Sequence, residues 1–498
     1  MVRKPADLFD RDWEWAELVR FVTDDAPGAT LGIVSGRRRQ GKSFLLQALC
    51  ERTGGFFYEA VEATEAESLR HFGRQLAGHL GSPGDLAFPT WEAAIDALLH
   101  LGEQRPTTVV LDELPYLARA APSLPSVIQA ALAPRVATRR RSRTRLLLCG
   151  SALSFMGKLL AGTAPLRGRA GLDLVVQTFP YHLAARFWGL ASDPHLAVLV
   201  HAVVGGTPAY RREFVAGDGP ADRDDFDAWV VRRVLNPASP LFREGRYLLA
   251  EEPDLRDPAL YHSVLAAVAE GRTTRSAIAA TLQRAAADLS HPLAVLEDIG
   301  LLARTEDVLR RGRPTYTIRE PIIRFSHAVM RPVWGRLQRP GAAARVWQEA
   351  QPRFHSLVVG PQFEQLCREW VAEGASPSFL GARPARVGAG VVNDRAGRAK
   401  IQLDVVALGE GRRRGRAPVL AIGEAKWGRT IGSADLARLQ RAHQLLARRD
   451  DLDMSACRLL LFSGAGFDRS LAGAARQDEV RLLDVAALYD RREPARAS

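Results

Sequence analysis

Apolar positions follow different rhythms along this chain, and the changes of rhythm divide it. At 31–35 an apolar run gives way to a Gly- and Arg-rich stretch, after which apolar residues return at helical spacing through residue 49. That pattern predicts a buried strand, a loop and a helix start. The runs TTVVLD (107–112) and RLLLCG (145–150) are also short and continuous, as expected for strands covered on both faces. Such strands separated by helical stretches predict an α/β domain on a doubly wound parallel sheet over residues 1–180.

Beyond it the rhythm is helical and rich in Ala and Leu over 181–258, with GGTPAY (205–210) as a helix-capping turn. Residues 259–320 read as three helices and a hairpin. LYHSVLAAVAEG closes on a Gly, TTRSAIAATL opens on Thr caps, and a third helix begins near Ser290 with Pro292 near its first turn. DVLRRGRPTYTIREP then supplies two strands around a basic turn, the order of a winged helix. In that design the third helix enters the major groove, and Arg310, Arg311 and Arg313 of the wing touch phosphate. With seven Arg against six Asp or Glu over 260–318, an inert packing module accounts for the same pattern.

A further domain is expected over 345–490. A helix at 361–374 is apolar at Phe363, Leu366 and Trp370, and three strand-like runs follow: ARVGAGVVND, AKIQLDVVALGE and PVLAIGEAKWG. The turn-rich link GEGRRRGR predicts that the last two pair as a hairpin before the helix SADLARLQRAHQLLARR.

Length and composition sharpen this only in part. The 498 residues, 47% hydrophobic and 25% charged, suit a globular protein with several cores. No apolar run reaches the roughly 18 residues that span a bilayer. The N-terminal MVRKPADLFDRDWEW lacks an apolar signal core, so no membrane and a cytoplasmic location are expected. The four cysteines, with no CxxC pair, read as small buried residues. A net charge of +12 favours an anionic partner, DNA first, although a genome's nucleotide bias produces the same tilt. More telling, only five of the 68 basic residues are Lys: 4, 42, 158, 400 and 426. Where Arg has replaced Lys almost everywhere, a surviving Lys marks a place where a compact ammonium does what a guanidinium cannot.

One such lysine lies in Gly36-Arg37-Arg38-Arg39-Gln40-Gly41-Lys42-Ser43, which fits G-x-x-x-x-G-K-[ST] between strand and helix, with Phe44 beginning the helical pattern. The glycines let backbone N–H groups turn toward phosphates at a helix N-terminus. Lys42 would reach the β- and γ-phosphates of ATP, and Ser43 would ligate Mg²⁺. About seventy residues downstream, a strand ends in Asp112-Glu113. Asp112 would hold the Mg²⁺, and Glu113 would polarise the attacking water. Ser151, after the third strand, is the candidate γ-phosphate sensor, although a helix cap explains it as well. Arg169, with Arg167 as the alternative, is the candidate finger arginine. The run PRVATRRRSRTR (134–145), six arginines without an acid, reads as a solvated loop or a contact to nucleic-acid backbone.

Another of the five lysines lies in LAIGEAKWG. If the hairpin forms, Asp404 on one strand faces Glu424 on the next, and Glu424 and Lys426 share a face at i and i+2. Two carboxylates would bind Mg²⁺, and Lys426 would orient or deprotonate water or stabilise a pentavalent phosphate. Glu364, on the preceding helix, is the candidate third ligand. A structural strand end carries the same letters.

In this order the parts resemble the prokaryotic archaeal-type P-loop ATPase family, in the AAA/STAND branch. Its members carry a winged helix and a C-terminal domain similar to PD-(D/E)XK nucleases. The residues carrying the resemblance are LFDRDWEWAEL, GRRRQGKS, VVLDELPYL, LLLCGSALSFM, PLRGR, GGTPAY, YTIREPIIRF and LDVVAL…IGEAKW. Departures are Gln40 where an apolar residue is expected, and Glu320 and Ser326 where an Asp and an aromatic are expected. The resemblance implies ATP and Mg²⁺ at Lys42, Ser43, Asp112 and Glu113. It also implies metal at Asp404 and Glu424, with Lys426 catalytic. The expected function is an ATP-driven switch acting on DNA, in defence or mobile-element biology. The alternative is a signalling ATPase or transcription regulator whose C-terminal domain binds without cutting. A homo-oligomer or a partner protein stays open.

Overall fold

A computed structural model describes residues 2–160, 164–250, 257–310, 312, 314–411, 415–471, 473 and 479–490. Its contacts divide the chain into two compact units, 1–178 with 298–300, and 179–297 with 301–498.

The first unit is built on five parallel strands: β1 (Thr30–Ser35), β2 (Phe56–Glu59), β3 (Thr107–Asp112), β4 (Thr144–Gly150) and β5 (Ala170–Val175). Their order is β2-β3-β4-β1-β5, so β4 lies between β1 and β3. Every residue of β3 and β4 is buried, which is why those runs are continuous rather than alternating. One face packs around Phe72, Trp91 and Leu111, the other around Trp15, Leu45 and Cys149. With a Gly-rich loop between β1 and the helix Lys42–Thr53, this is the α/β arrangement of a P-loop NTPase. Parallel strands bring the loops after β1, β3 and β4 to one edge, where doubly wound sheets bind ligands. The four cysteines are free and buried.

The run 134–145 is not a solvated loop throughout. Arg145, the second residue of β4, is fully buried and donates to the carbonyls of Asp24 (3.0 Å), Ala26 (2.6 Å) and Gly28 (2.8 Å). Arg143 pairs with Asp25, and Arg141 with Glu103. Arg143 and Arg145 thus close the segment before β1, while Arg141 is held by the segment before β3 and Arg135 and Arg140 are exposed.

The second unit contains the helices Pro258–Ala269, Arg275–Leu282 and much of Ser290–Asp298, then the hairpin of β6 (Leu302–Glu306) and β7 (Pro314–Ile318). Its larger sheet contains β8 (Pro384–Asp394), β9 (Ala399–Gly409), β10 (Ala417–Lys426), β11 (Leu452–Asp453), β12 (Arg458–Ser463) and β13 (Val480–Asp484). The order is β13-β12-β10-β9-β8, with β11 beside β10. The antiparallel pair β9–β10 is the expected hairpin, and β10, β12 and β13 run parallel. The helix expected to continue to 374 is α-helical over Gly360–Glu369 and widens to a π turn at Trp370–Gly374. Similar π turns at Tyr210–Phe214, Ser326–Met330 and Phe354–Val359 had no counterpart in the apolar spacing.

The link between β6 and β7 begins by packing inward at residues 307–309. Val308 and Leu309 are buried in the core of the larger sheet. The Val308 amide donates to the Ala389 carbonyl at 3.0 Å, and Asp307 accepts from the Val391 amide at 3.1 Å. Residues 307–309 thus cover the edge strand β8. Arg310 is half-buried beside it, and Arg311 and Arg313 lie outside the described residues.

Candidate functional site

The loop after β1 turns on residues with positive φ: Gly36 (149°), Arg39 (68°) and Gly41 (84°). A Cβ at Gly36 would lie 2.4 Å from the Val176 carbonyl oxygen and 2.9 Å from Gln40 Oε1, so only glycine fits. Gly41 caps the 12-residue helix Lys42–Thr53 without a side-chain hydrogen bond, which leaves the first-turn N–H groups for a ligand. Ser43 and Phe44 stand exposed on that turn. Lys42 is buried, and its Nζ donates to the Arg37 carbonyl at 2.8 Å, folded back on the loop it would leave for phosphate. Burial lowers its pKa against the opposing pull of Glu113 and Asp112. Arg38 donates to the Tyr116 hydroxyl at 2.8 Å. Gln40, the departure from an apolar position, is buried with Oε1 unpartnered.

At the end of β3, Asp112 is 1% exposed. Its Oδ1 accepts from the Glu113 amide at 2.8 Å, while Oδ2 is buried without a partner. A carboxylate oxygen so placed is costly unless a cation or water meets it. With the exposed Ser43 hydroxyl, this donor set fits Mg²⁺, which binds through few protein oxygens plus substrate phosphate. Glu113 occupies left-handed backbone space (φ 51°). Burial raises its pKa, and the Arg38 charge and the Ser151 hydrogen bond only partly offset this. Ser151 Oγ lies 3.0 and 3.1 Å from the two Glu113 oxygens, so its hydroxyl orients that carboxylate. Arg167 and Arg169 are exposed on the turn before β5; no hydrogen bond or ion pair among the described residues ties Arg169 to the loop.

In the second unit, the register Ile422↔Val406 and Gly423↔Val405 sets Glu424 opposite Asp404. Both are buried, at 2% and 4% exposure. Lys426 Nζ lies 2.6 Å from Glu424 Oε1 and 3.6 Å from Asp404 Oδ2. Arg438, on the helix Ser433–Ala447, donates to Glu424 Oε1 at 2.8 Å, and the Ala425 amide donates to Asp404 Oδ2 at 2.9 Å. The other oxygen of each carboxylate makes no hydrogen bond among the described residues, so Asp404 Oδ1 and Glu424 Oε2 fit a two-carboxylate Mg²⁺ site. Burial opposes the charge on Lys426, but Asp404 and Glu424 outweigh it and its pKa is raised.

Glu364 lies on the helix Gly360–Glu369, and burial, with the Asp404 charge, raises it to about 7. Its nearest ion-pair partner is Arg368 at 4.0 Å. Among the described residues no group of three or more His, Cys, Asp or Glu is disposed to hold a metal, so Glu364 is near Asp404 electrostatically without completing a cluster. Arg438, and Arg368 with its bond to the Asp404 carbonyl at 3.0 Å, were not singled out from the sequence. In so arginine-rich a chain nothing in the letters sets them apart.

No protein-family model matches the chain. An uncharacterized protein of Methanocaldococcus jannaschii is 26% identical over 299 residues, 59% of this chain and 62% of that protein, so the match spans less than two thirds of the relative. Among solved structures, a Walker-type ATPase of Pyrococcus abyssi superposes with TM-score 0.47 at 18% identity, covering 65% of this chain and 97% of that one. The ORC2 protein of Aeropyrum pernix, in ADPNP–ADP complexes, has TM-score 0.40 at 14% identity over 70% of this chain and 97% of its own. Likeness at this level leaves function to be argued from the residues themselves.

Proposed function

We propose that the chain is a Mg²⁺-dependent ATPase acting as a nucleotide-controlled switch on DNA, through a C-terminal domain of nuclease type. The observation that carries the ATPase reading is the buried, unpartnered Asp112 Oδ2 at the strand edge that also holds the glycine loop and Lys42. The loop and helix N-terminus would cradle phosphate, and Lys42 would exchange the Arg37 carbonyl for the β- and γ-phosphates. Ser43 and Asp112 would hold the Mg²⁺, which when bound neutralises charge on the phosphate oxygens. Glu113, aimed by Ser151, would accept a proton from the attacking water. At the second site Asp404 and Glu424 would hold Mg²⁺, Arg438 would fix Glu424, and protonated Lys426 would stabilise charge growing on a scissile phosphate.

ATP turnover by wild type and its loss in Lys42→Ala are expected; full affinity and turnover in that variant would end the ATPase reading. Plasmid incubated with Mg²⁺, with and without ATP, tests the second site. Cutting that disappears in Lys426→Ala supports a nuclease. Intact plasmid with wild type supports the binding-only alternative, which is favoured to the extent that Lys426 and Arg438 already neutralise Glu424.

A further inference from the structure

Helices and turns within the second unit line a half-open pocket of about 370 Å³, with Arg246, His262, Ser326, His327, Arg331 and Trp334 among its lining and both arginines exposed. None of its lining residues is acidic. The Arg246 guanidinium sits 5.0 Å over the Trp334 ring, which packs in turn on Phe242 at 4.7 Å between centroids. An indole therefore fixes this cation where a carboxylate would be expected to. Neither Arg246 nor Arg331 has an ion pair among the described residues.

The two imidazoles are wired in series. His327 is 3% exposed, and its Nδ1 lies 2.9 Å from the Ile323 carbonyl, which places the proton on Nδ1 and leaves Nε2 an acceptor. That Nε2 is 3.2 Å from His262 Nδ1, so His262 must carry its own proton on Nδ1. The remaining His262 nitrogen, Nε2, keeps a lone pair. Burial holds His327 down at about 3, and burial, then Arg331 and Arg246, lowers His262. The charged and titratable groups facing His262 are thus Arg246, Arg331 and His327. Ser326 Oγ makes no hydrogen bond among the described residues.

Two guanidiniums without an ion pair among the described residues, a hydroxyl and an imidazole able to take a proton form a donor set open to an incoming anion. A tetrahedral dianion matches it better than a planar carboxylate, because it offers three terminal oxygens in different directions. The size suits a small molecule rather than a duplex. We propose that this cavity binds the terminal phosphate of a small phosphate ester, held by Arg246 and Arg331 and contacted by Ser326 and His262. This ligand is separate from ATP at the Gly36–Ser43 loop and does not depend on the function proposed above.

Calorimetry on the full chain carrying Lys42→Ala, which weakens phosphate binding at the loop, tests the assignment with inorganic phosphate, phenyl phosphate and sulfate. Saturable binding is expected, weakened about tenfold or more by Arg331→Ala and by Arg246→Ala, and less by Arg331→Lys. Sulfate keeps its charge across the range, so its binding reports His262 alone. Binding an anion raises the lowered His262 pKa, so sulfate should bind more tightly as pH falls from about 8 to about 6. That gain should vanish in His262→Gln. Absence of binding, or binding indifferent to both arginines while the variants melt as the parent does, would overturn the proposal. A duplex oligonucleotide that displaces phosphate from the cavity more effectively than phenyl phosphate would overturn its assignment to a small ester.

Discussion

Glu113→Gln keeps the size of the side chain and an acceptor for Ser151 but removes the proton-accepting carboxylate. ATP affinity should stay within about threefold, and turnover should fall by about 10²–10⁴. Because burial raises the Glu113 pKa, the carboxylate is lost on acidification at higher pH than for an ordinary Glu. The acid limb of kcat/KM against pH in wild type, which reports the free enzyme, should therefore lie above about 4.3, and a limb at or below that value would remove Glu113 as the base. The glycine loop before the helix Lys42–Thr53 was legible because its letters sit side by side in GRRRQGKS, whereas its neighbour Asp112 comes from a strand about seventy residues on. Arg145 looked like the last letter of a solvated run, yet it is buried against three carbonyls. Nothing in RRRSRTR distinguishes it from its neighbours, because the acceptors come from residues 24–28. Arg145→Met would strand those carbonyls, and denaturant melts should show a loss of about 3 kcal/mol in the first unit, whereas Arg140→Met should be nearly neutral.

At the scale of elements, strands and their pairing followed from the apolar rhythm, but what an element packs against did not. The β9–β10 pairing was readable because GEGRRRGR leaves a short, turn-rich link, and pairing alone brings Asp404 to Glu424. The β6–β7 hairpin was readable too, but not that the segment after β6 packs on β8. The deciding residues are Val308 and Leu309, two apolar letters before the arginines, which fill the space over Gly388 and Gly390 of β8. A Cβ at Gly388 would lie 2.7 Å from Val308, and one at Gly390 2.8 Å from Leu309. Nothing in ARVGAGVVND shows that these glycines make room for residues from another element. Leu309→Ala should destabilise the second unit by about 2–4 kcal/mol through the void it leaves. Hydrogen exchange should show the Val308 and Val391 amides, protected in wild type, opening together in the variant. Fast exchange of both in wild type would mean that residues 307–309 are undocked in solution.

At the scale of the molecule, the +12 charge is a poor guide to any one surface. Arginines at 143, 223, 232, 429 and 441 are committed to Asp25, Asp193, Asp225, Asp435 and Asp394. The cationic groups with most to offer a ligand are instead those gathered in concave places, at Lys42 in one unit and at Arg246 and Arg331 in the other. Because the contacts divide into two units, a ligand's stabilisation should begin in the unit that binds it. Calorimetric unfolding of the whole chain should then resolve two transitions. Mg²⁺ and ATP at about 100 times their dissociation constant should add about 2.7 kcal/mol to the unit containing Lys42. Phosphate should act first on the other transition, and the two effects should separate in Lys42→Ala and Arg331→Ala. A single transition moved equally by both ligands would mean that the units unfold as one, and a switch would then have to work through a change smaller than the separation of its parts.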